Sequence, residues 1–336
     1  MQDDRKRKFN RIALGWFRKN GRALPWRRTR DPYRILVSEV MLQQTGVERV
    51  LPKYAEFLAR FPALEDVAAS PLGDVLRVWS GLGYNRRAKY LWECCRKVRD
   101  DYGGRFLYDN TELLRLPGVG RSTAAALRAF VFGMDEPMIE TNVRRVLSRV
   151  FFGGVAVPDE DLRVFAQRLI PKGRGRDWNW AVMDIGALYC KAKAHRPDCP
   201  FGVLHGPVSD WIYKKPQTRF AGSRRFYRGR ILAALAQISR GVQREKLCAS
   251  AGLGDEQCKK ILDDLVREGL IRCRAGCIVT PHSRHCERPR VCRGGARQSS
   301  ISSGLLRRPA AGLLAMTHVI VRRWWSREGL HCIVLP

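Results

Sequence analysis

Glu39 is the lone acid in the run "ILVSEVML" (35–42), an otherwise apolar stretch of helical spacing. A carboxyl set among aliphatic side chains loses solvation of its charged form, so its pKa rises and it can hold a proton to donate. A second stretch, Leu116-Pro117-Gly118-Val119-Gly120, breaks one helix and opens another at Ser122 and Thr123. Glycines at 118 and 120 are expected to allow positive φ and to strip Cβ atoms from the surface. The turn amides and the next helix N-terminus would then point outward as an anion site, suited to a phosphate. An ordinary glycine-closed corner between helices is the plainer reading of such a turn alone.

The charge balance favours the anion site. The chain of 336 residues carries 62 Lys+Arg against 32 Asp+Glu, a formal net charge of +30. That excess points to a polyanionic partner, because each cation that neutralises a phosphate releases a counterion. No apolar run approaches the roughly 18 residues of a membrane span. The N-terminus "MQDDRKRKFNR" has no apolar core of an export signal, so an intracellular protein, expected as a monomer, is the reading. Eleven cysteines then suggest reduced thiols or metal ligands.

The elements that must position these residues are helical over 5–200, roughly ten helices by periodicity. Asp31-Pro32 reads as an N-cap followed by proline at the first helical position. Apolar residues recur at helical spacing from Tyr33 to Met41, Val47 to Phe61, Leu72 to Trp79 and Ala88 to Val98. Residues 201–225 are rich in Pro, Gly and basic residues and read as a linker. Residues 226–281 give three short helices, near 228–238, 243–250 and 255–268, then a hairpin in "LIRCRAGCIVT", the pattern of a small winged-helix-like domain. Residues 282–336 hold ten arginines and two acids without a period, an irregular basic tail.

Four stretches carry a resemblance: "LPWRRTRDPYRILVSEVMLQQT" (24–45), "WSGLGYNRRAKYL" (79–91), "LPGVGRSTAAALRAFVFG" (116–133) and "IETNVRRVLSRVF" (139–151). Together they resemble the adenine-glycosylase branch of the helix-hairpin-helix, endonuclease III superfamily of base-excision DNA glycosylases, over about residues 8–195. The resemblance implies an all-α helix-hairpin-helix glycosylase fold with its hairpin at 111–133. It implies a monofunctional hydrolase that flips mispaired adenine, opposite G or 8-oxoguanine, out of duplex DNA.

Residue by residue, the resemblance makes Glu39 the acid that protonates adenine N7. Glu140 fills the slot where the family has Asp, and would stabilise the sugar cation across one extra methylene. Glu140 and Asn142 also suit a cap on the helix beginning near Val143. Ser122 stands where bifunctional relatives carry a Schiff-base Lys, so strand cleavage is not expected. Gln43, Gln44 and Tyr84 match positions that intrude into DNA. Leu116, Pro117, Gly118, Val119, Gly120, Ser122 and Asn142 line the DNA side, with Trp26 and Arg28 as weaker pocket positions. The family's [4Fe–4S] motif is incomplete here. Only Cys190 and Cys199 stand in "CKAKAHRPDCPFGVLHGP", with His195 and His205 nearby, so no cofactor is expected with certainty. Cys273, Cys277, Cys286 and Cys292 have poor zinc spacing. No 8-oxoguanine-reading Nudix-like domain is expected in 226–281. The alternatives are a thymine or uracil glycosylase acting opposite guanine, a non-catalytic damage binder, and a winged-helix transcription factor.

Overall fold

The computed structural model describes residues 2–280, leaving out 194, 206–218, 239–240 and 275–276. The tail expected at 282–336, with Cys286 and Cys292, lies outside the described residues, as does the middle of the linker.

The first two hundred residues are helical, as the periodicity predicts. The helices that frame the site are α1 (Gln2–Asn20), α2 (Pro32–Leu42), α3 (Val47–Arg60), α4 (Leu64–Ala69), α5 (Leu72–Trp79) and α6 (Arg86–Tyr102). Then come α7 (Asn110–Leu114), α8 (Arg121–Phe130), α9 (Thr141–Phe151), α10 (Asp159–Gln167) and α11 (Gly175–Leu188). The cap at α2 forms as expected: Asp31 Oδ1 accepts from the amides of Tyr33 at 2.8 Å and Arg34 at 3.2 Å. Two apolar cores result. One gathers α2, α3, α5, α6 and α8 around Leu36, Val37, Phe57, Trp79 and Leu91. The other joins α1, α9 and α11 around Phe9, Val146, Trp178 and Ile185, and extends to Phe201 and Leu204.

The hairpin is α7, the turn 115–120 and α8. Gly118 sits at φ +75°, and a Cβ there would fall 2.6 Å from Tyr90 Cβ, so glycine is required twice over. Gly120 corrects the sequence expectation: its φ is −91°, extended backbone open to any residue. Nothing lies within 4 Å of a Cβ built on Gly120, so its bareness serves approach from outside rather than the turn.

After the linker, α12 (Arg224–Ala236) starts ahead of the expected position because Ser223 caps it, its hydroxyl accepting from Phe226 N at 3.3 Å. α13 (Arg244–Ala251) and α14 (Asp255–Arg267) follow, with the hairpin β2 (Arg272–Arg274) and β3 (Cys277–Val279). A two-residue strand, β1 (Val242–Gln243), pairs antiparallel with β3 and gives the sheet order β1-β3-β2. Its shortness hid it from periodicity. Three helices with this sheet form the winged-helix-like unit. It is packed on the helical domain: Arg77 Nε donates to Ala236 O at 2.7 Å and Lys89 Nζ to Glu268 O at 2.7 Å. The expectation of reduced thiols meets an exception here, since Cys248 and Cys258 form a disulfide between α13 and α14. No described helix is long and apolar enough to cross a membrane.

Candidate active site

Glu39 lies in the last turns of α2, where the residues from Ile35 to Met41 are all buried, and is itself 7% exposed. Among the described residues no hydrogen bond or ion pair holds its carboxyl. Burial, reinforced by the charge of Glu140 and only partly offset by Arg27, pushes Glu39 up to about 8. It is therefore a carboxylic acid at neutral pH.

Arg27 carries the charge that lowers Glu39. It is also committed to Asp184 of α11, donating at 2.7 and 2.8 Å, and Arg22 pairs with the same carboxylate at 2.6 Å. Burial alone would raise Asp184, but the hydrogen bonds and charges of Arg27 and Arg22 outweigh it and hold that carboxylate ionised. A fully buried Asp184 thus absorbs the cation beside Glu39.

Glu140 is the N-cap of α9. Its Oε1 accepts from the amides of Asn142 and Val143, both at 2.9 Å, and its Oε2 accepts from Asn142 Nδ2 at 3.1 Å. Burial pushes Glu140 up on balance, and those donors and the Arg145 charge offset it only in part. Three donors aimed at one carboxylate favour its charged form, a support for which Glu39 has no counterpart among the described residues. Arg145 fixes Asn142 in turn, donating to its Oδ1 at 2.7 Å. The extra methylene of Glu does not prevent capping: the side chain folds back onto its own helix. The Ser122 hydroxyl, at the start of α8, donates to Ile139 O at 3.1 Å and ties the hairpin to the backbone next to Glu140.

Gln43 and Gln44 follow α2, and Tyr84 precedes α6. Gln44 (φ +57°) and Tyr84 (φ +47°) are the two non-glycine residues with left-handed backbone among the described residues. Both are exposed at the surface. Non-glycine residues pay steric strain there, and such strain gathers at functional loops. Nothing in the sequence signalled this.

Arg87 joins these two loops, and sequence reasoning missed it. It is 7% exposed, and its guanidinium donates to the carbonyls of Val40 (2.9 Å), Met41 (2.8 Å) and Gln43 (2.5 Å) and to Thr45 Oγ1 (3.1 Å). On the other side it donates to Gly83 O at 3.2 Å and lies 5.4 Å from the Tyr84 ring centroid. Burial lowers its pKa to about 10, which leaves it charged. The signal available was a lone Arg on the buried face of α6, one position after Arg86. Arg225 of α12 also reaches this loop, donating to Tyr84 Oη at 3.2 Å.

Trp26 is buried in the core, edge-on to Tyr54 at 5.2 Å, and Arg28 is exposed. Leu116 and Val119 are buried anchors of the hairpin turn, Pro117 is half-buried, and Gly118 and Gly120 face solvent.

Residues 37–172 match the HhH-GPD superfamily base excision DNA repair protein family. The adenine DNA glycosylase of Mycolicibacterium smegmatis is 36% identical over 266 residues, covering 77% of this chain and 90% of that protein. The chain belongs to the HhH-GPD superfamily of base-excision DNA repair glycosylases. A thymine/uracil-DNA glycosylase of Methanothermobacter thermautotrophicus is 35% identical, over 58% of this chain and 90% of that one. The solved structure of a thermostable thymine-DNA glycosylase aligns with a TM-score of 0.58 at 32% identity, over 61% of this chain and 96% of that chain.

Endonuclease III-like glycosylases usually carry a [4Fe–4S] cluster, which needs four cysteine thiolates. Cys190 and Cys199 are the cysteines in the corresponding segment, and its other nearby ligand groups are His195 and His205. The His195, Cys199 and His205 ligand atoms lie within 4.8 Å of one another. That set does not fit a cubane, because two of the four thiolates are lacking.

Proposed function

We propose that this chain hydrolyses mispaired adenine from duplex DNA as a monofunctional, water-using glycosylase. Glu39 is its general acid and Glu140 the ionised partner of the sugar cation. The observation that carries this reading is the unequal setting of the two carboxyls, Glu39 buried among apolar side chains and pushed up to about 8, Glu140 clasped by three donors. Glycoside cleavage wants this division between an acid that protonates the leaving group and a carboxylate that meets positive charge at the sugar.

In this reading the flipped adenine takes the Glu39 proton at N7, and the C1′–N9 electrons leave with the base. Glu140 stabilises the oxocarbenium ion. Water then adds at C1′ and gives up a proton, which restores Glu39. Adenine suits the acid because its N7 accepts a proton, whereas thymine presents no such ring nitrogen. The reach of the adenine-glycosylase match, 77% of the chain against 58% for the thymine/uracil relative, supports the same choice. Ser122 cannot form a Schiff base, so the product is an abasic site. Gln44, Gln43 and Tyr84 fill the space left by the flipped base and face its widowed partner, A·G and A·8-oxoG being the expected pairs. The DNA, bound by a monomer, meets the bare surface of Gly120 and the N-terminus of α8 with a phosphate.

A second reading, thymine or uracil release opposite guanine, draws on the thymine/uracil relatives. A single-turnover assay separates them, with labelled duplexes holding A·8-oxoG, A·G, T·G, U·G or a matched pair. Adenine release, with strand breaks only after hot alkali, is expected. Pyrimidine release overturns the adenine assignment, and binding without any release overturns catalysis.

A further inference from the structure

The segment after α11 holds a cluster that the glycosylase chemistry does not use. Cys190, His195, Cys199 and His205 succeed one another with four, three and five residues between them. Ligand atoms of His195, Cys199 and His205 come within 4.8 Å of one another. In a tetrahedral site with metal–nitrogen and metal–sulfur bonds of about 2.0–2.3 Å, neighbouring ligand atoms sit about 3.3–3.8 Å apart. Small rotations of these side chains would close that gap.

Cys190 stands outside that group of three and is linked to it through Arg149. Arg149 Nη1 donates to its Sγ at 3.3 Å and lies 3.5 Å from His195 Nδ1, so one guanidinium nitrogen touches both side chains. The two histidine rings meet edge to face with centroids 5.0 Å apart. Cys190 and Cys199 are both buried, and Arg145 and Arg149 of α9 lie against the segment, donating to the carbonyls of Cys190 and Lys191. Two imidazoles and two guanidiniums in one place suit a pair of thiolates, and buried thiols ionise when a metal takes them. Hydrogen bonds from a fixed cation to a ligating sulfur are the outer contacts that tune such sites.

We propose that Cys190, His195, Cys199 and His205 bind a single tetrahedral divalent cation of the zinc class, in the place where relatives would seat a cubane. Binding displaces one proton from each thiol, so two protons leave for each ion, and no oxidant or reductant takes part. The ion fastens the loop 190–205 to α9 and α11. It also holds the segment that meets α1, where Arg5 donates to Leu204 O and Phe201 stacks on Phe9 at 4.5 Å. The fastened loop presents exposed Lys191 and Lys193 at the surface. The inference stands apart from the choice of excised base.

The test uses the full chain purified without chelator. Elemental analysis is expected to find one zinc per chain and no inorganic sulfide. Protein stripped by chelator and titrated with cobalt(II) chloride is expected to give visible bands of tetrahedral intensity. A thiolate charge-transfer band should appear with them, saturating at one equivalent with release of two protons. His205→Ala and Cys199→Ser are expected to abolish the tetrahedral spectrum, and Cys190→Ser to remove about half of the charge-transfer intensity. Iron with equimolar sulfide would overturn the proposal in favour of a cluster. An absent cobalt spectrum in the stripped wild-type chain would overturn it irrespective of how the variants fold. A spectrum unchanged in His205→Ala would place the ion elsewhere, for instance on Cys273 and Cys277, and overturn it too.

Discussion

The negative charge of Glu140 raises the carboxyl of Glu39, adding to the burial that does most of the lifting. The two acids therefore act on each other as well as on a substrate. Glu140 can stay ionised because the amides at the start of α9 and the Asn142 side chain accept the cost of its charge. Its charge then helps keep Glu39 protonated. A helix cap and the proposed acid are thus coupled through space, so a Glu in the cap slot can also act on Glu39.

The coupling fixes the pH profile. Glu39 must carry its proton to work, and it loses that proton near pH 8, so single-turnover release is expected to fall tenfold per unit well above 8, and to fall again at acid pH where Glu140 takes up a proton. Glu140→Gln is expected to cut the rate by about a hundredfold or more and to move Glu39 titration to lower pH. Carboxyl-carbon NMR of Glu39 in the Glu140→Gln chain reads the second effect without turnover. An unmoved Glu39 titration would sink the electrostatic coupling.

The same shift predicts a stability cost of function. Unfolded, Glu39 loses its proton near 4.5, while folded it keeps it to about 8. Between those values the native chain binds more protons than the unfolded one, so stability falls as pH rises through that window. Glu39→Gln mimics the neutral acid and removes the penalty. It is expected to abolish release yet to stabilise the fold by about 2–4 kcal/mol at pH 8, with little change at pH 4.5. Chemical denaturation at the two pH values measures the difference, and equal stabilities at both would refute it.

Much of this site was legible in the sequence because its signals are local. A lone acid in an apolar helix, a glycine turn before Ser122, and a Glu-Thr-Asn step into a helix each announce themselves within a few residues. What stayed hidden depends on chain segments meeting in space. Arg87 reads as one more base on a basic helix until α2 and the Tyr84 loop close around it. Asp184 looks like a stray acid in α11 until Arg22 and Arg27 arrive from more than 150 residues away. The backbone strain at Gln44 and Tyr84 follows from loop closure, which no side-chain pattern encodes. Gly120 misled for the opposite reason, since sequence shows a glycine but not which property of glycine is in use.

The two hairpin glycines are expected to separate folding from binding. Gly118→Ala forces a Cβ toward Tyr90 at positive φ and should cost about 1–3 kcal/mol of stability. Gly120→Ala meets no neighbour and should leave the melting temperature unchanged. It should nevertheless weaken duplex binding roughly five- to tenfold, by holding phosphate off the N-terminus of α8. Thermal melts beside binding titrations test the pair, and unimpaired binding by Gly120→Ala would remove the phosphate site.

Gln44 offers a test of strain kept for function. Its left-handed backbone costs about 1–2 kcal/mol that glycine would avoid, against about 0.5–1 kcal/mol of extra chain entropy. Gln44→Gly is therefore expected to leave stability equal or slightly higher while weakening discrimination between mismatched and matched duplexes about tenfold. A loss of more than about 1 kcal/mol on denaturation would show that the side chain supports the fold instead.

Arg87 is the residue on which the loops of Gln44 and Tyr84 both depend. Its guanidinium satisfies the C-terminal carbonyls of α2, the Gln43 carbonyl, Thr45 and the Gly83 carbonyl at once. Lysine keeps the charge but offers three donors from one point, so it cannot span from the Gln43 side to the Gly83 side. Arg87→Lys should cost about 2–3 kcal/mol through the acceptors left unmet. Glu39 and Glu140 would remain in place, so base release at saturating enzyme should fall less than tenfold. The loops that carry Gln44 and Tyr84 would separate, and the preference for mismatched over matched duplex should shrink by tenfold or more. Binding to both duplexes, measured beside the single-turnover rate, distinguishes this from general weakening: an equal loss on the two duplexes would reduce Arg87 to a core residue, and a narrowed ratio would make it the positioning residue of the wedge.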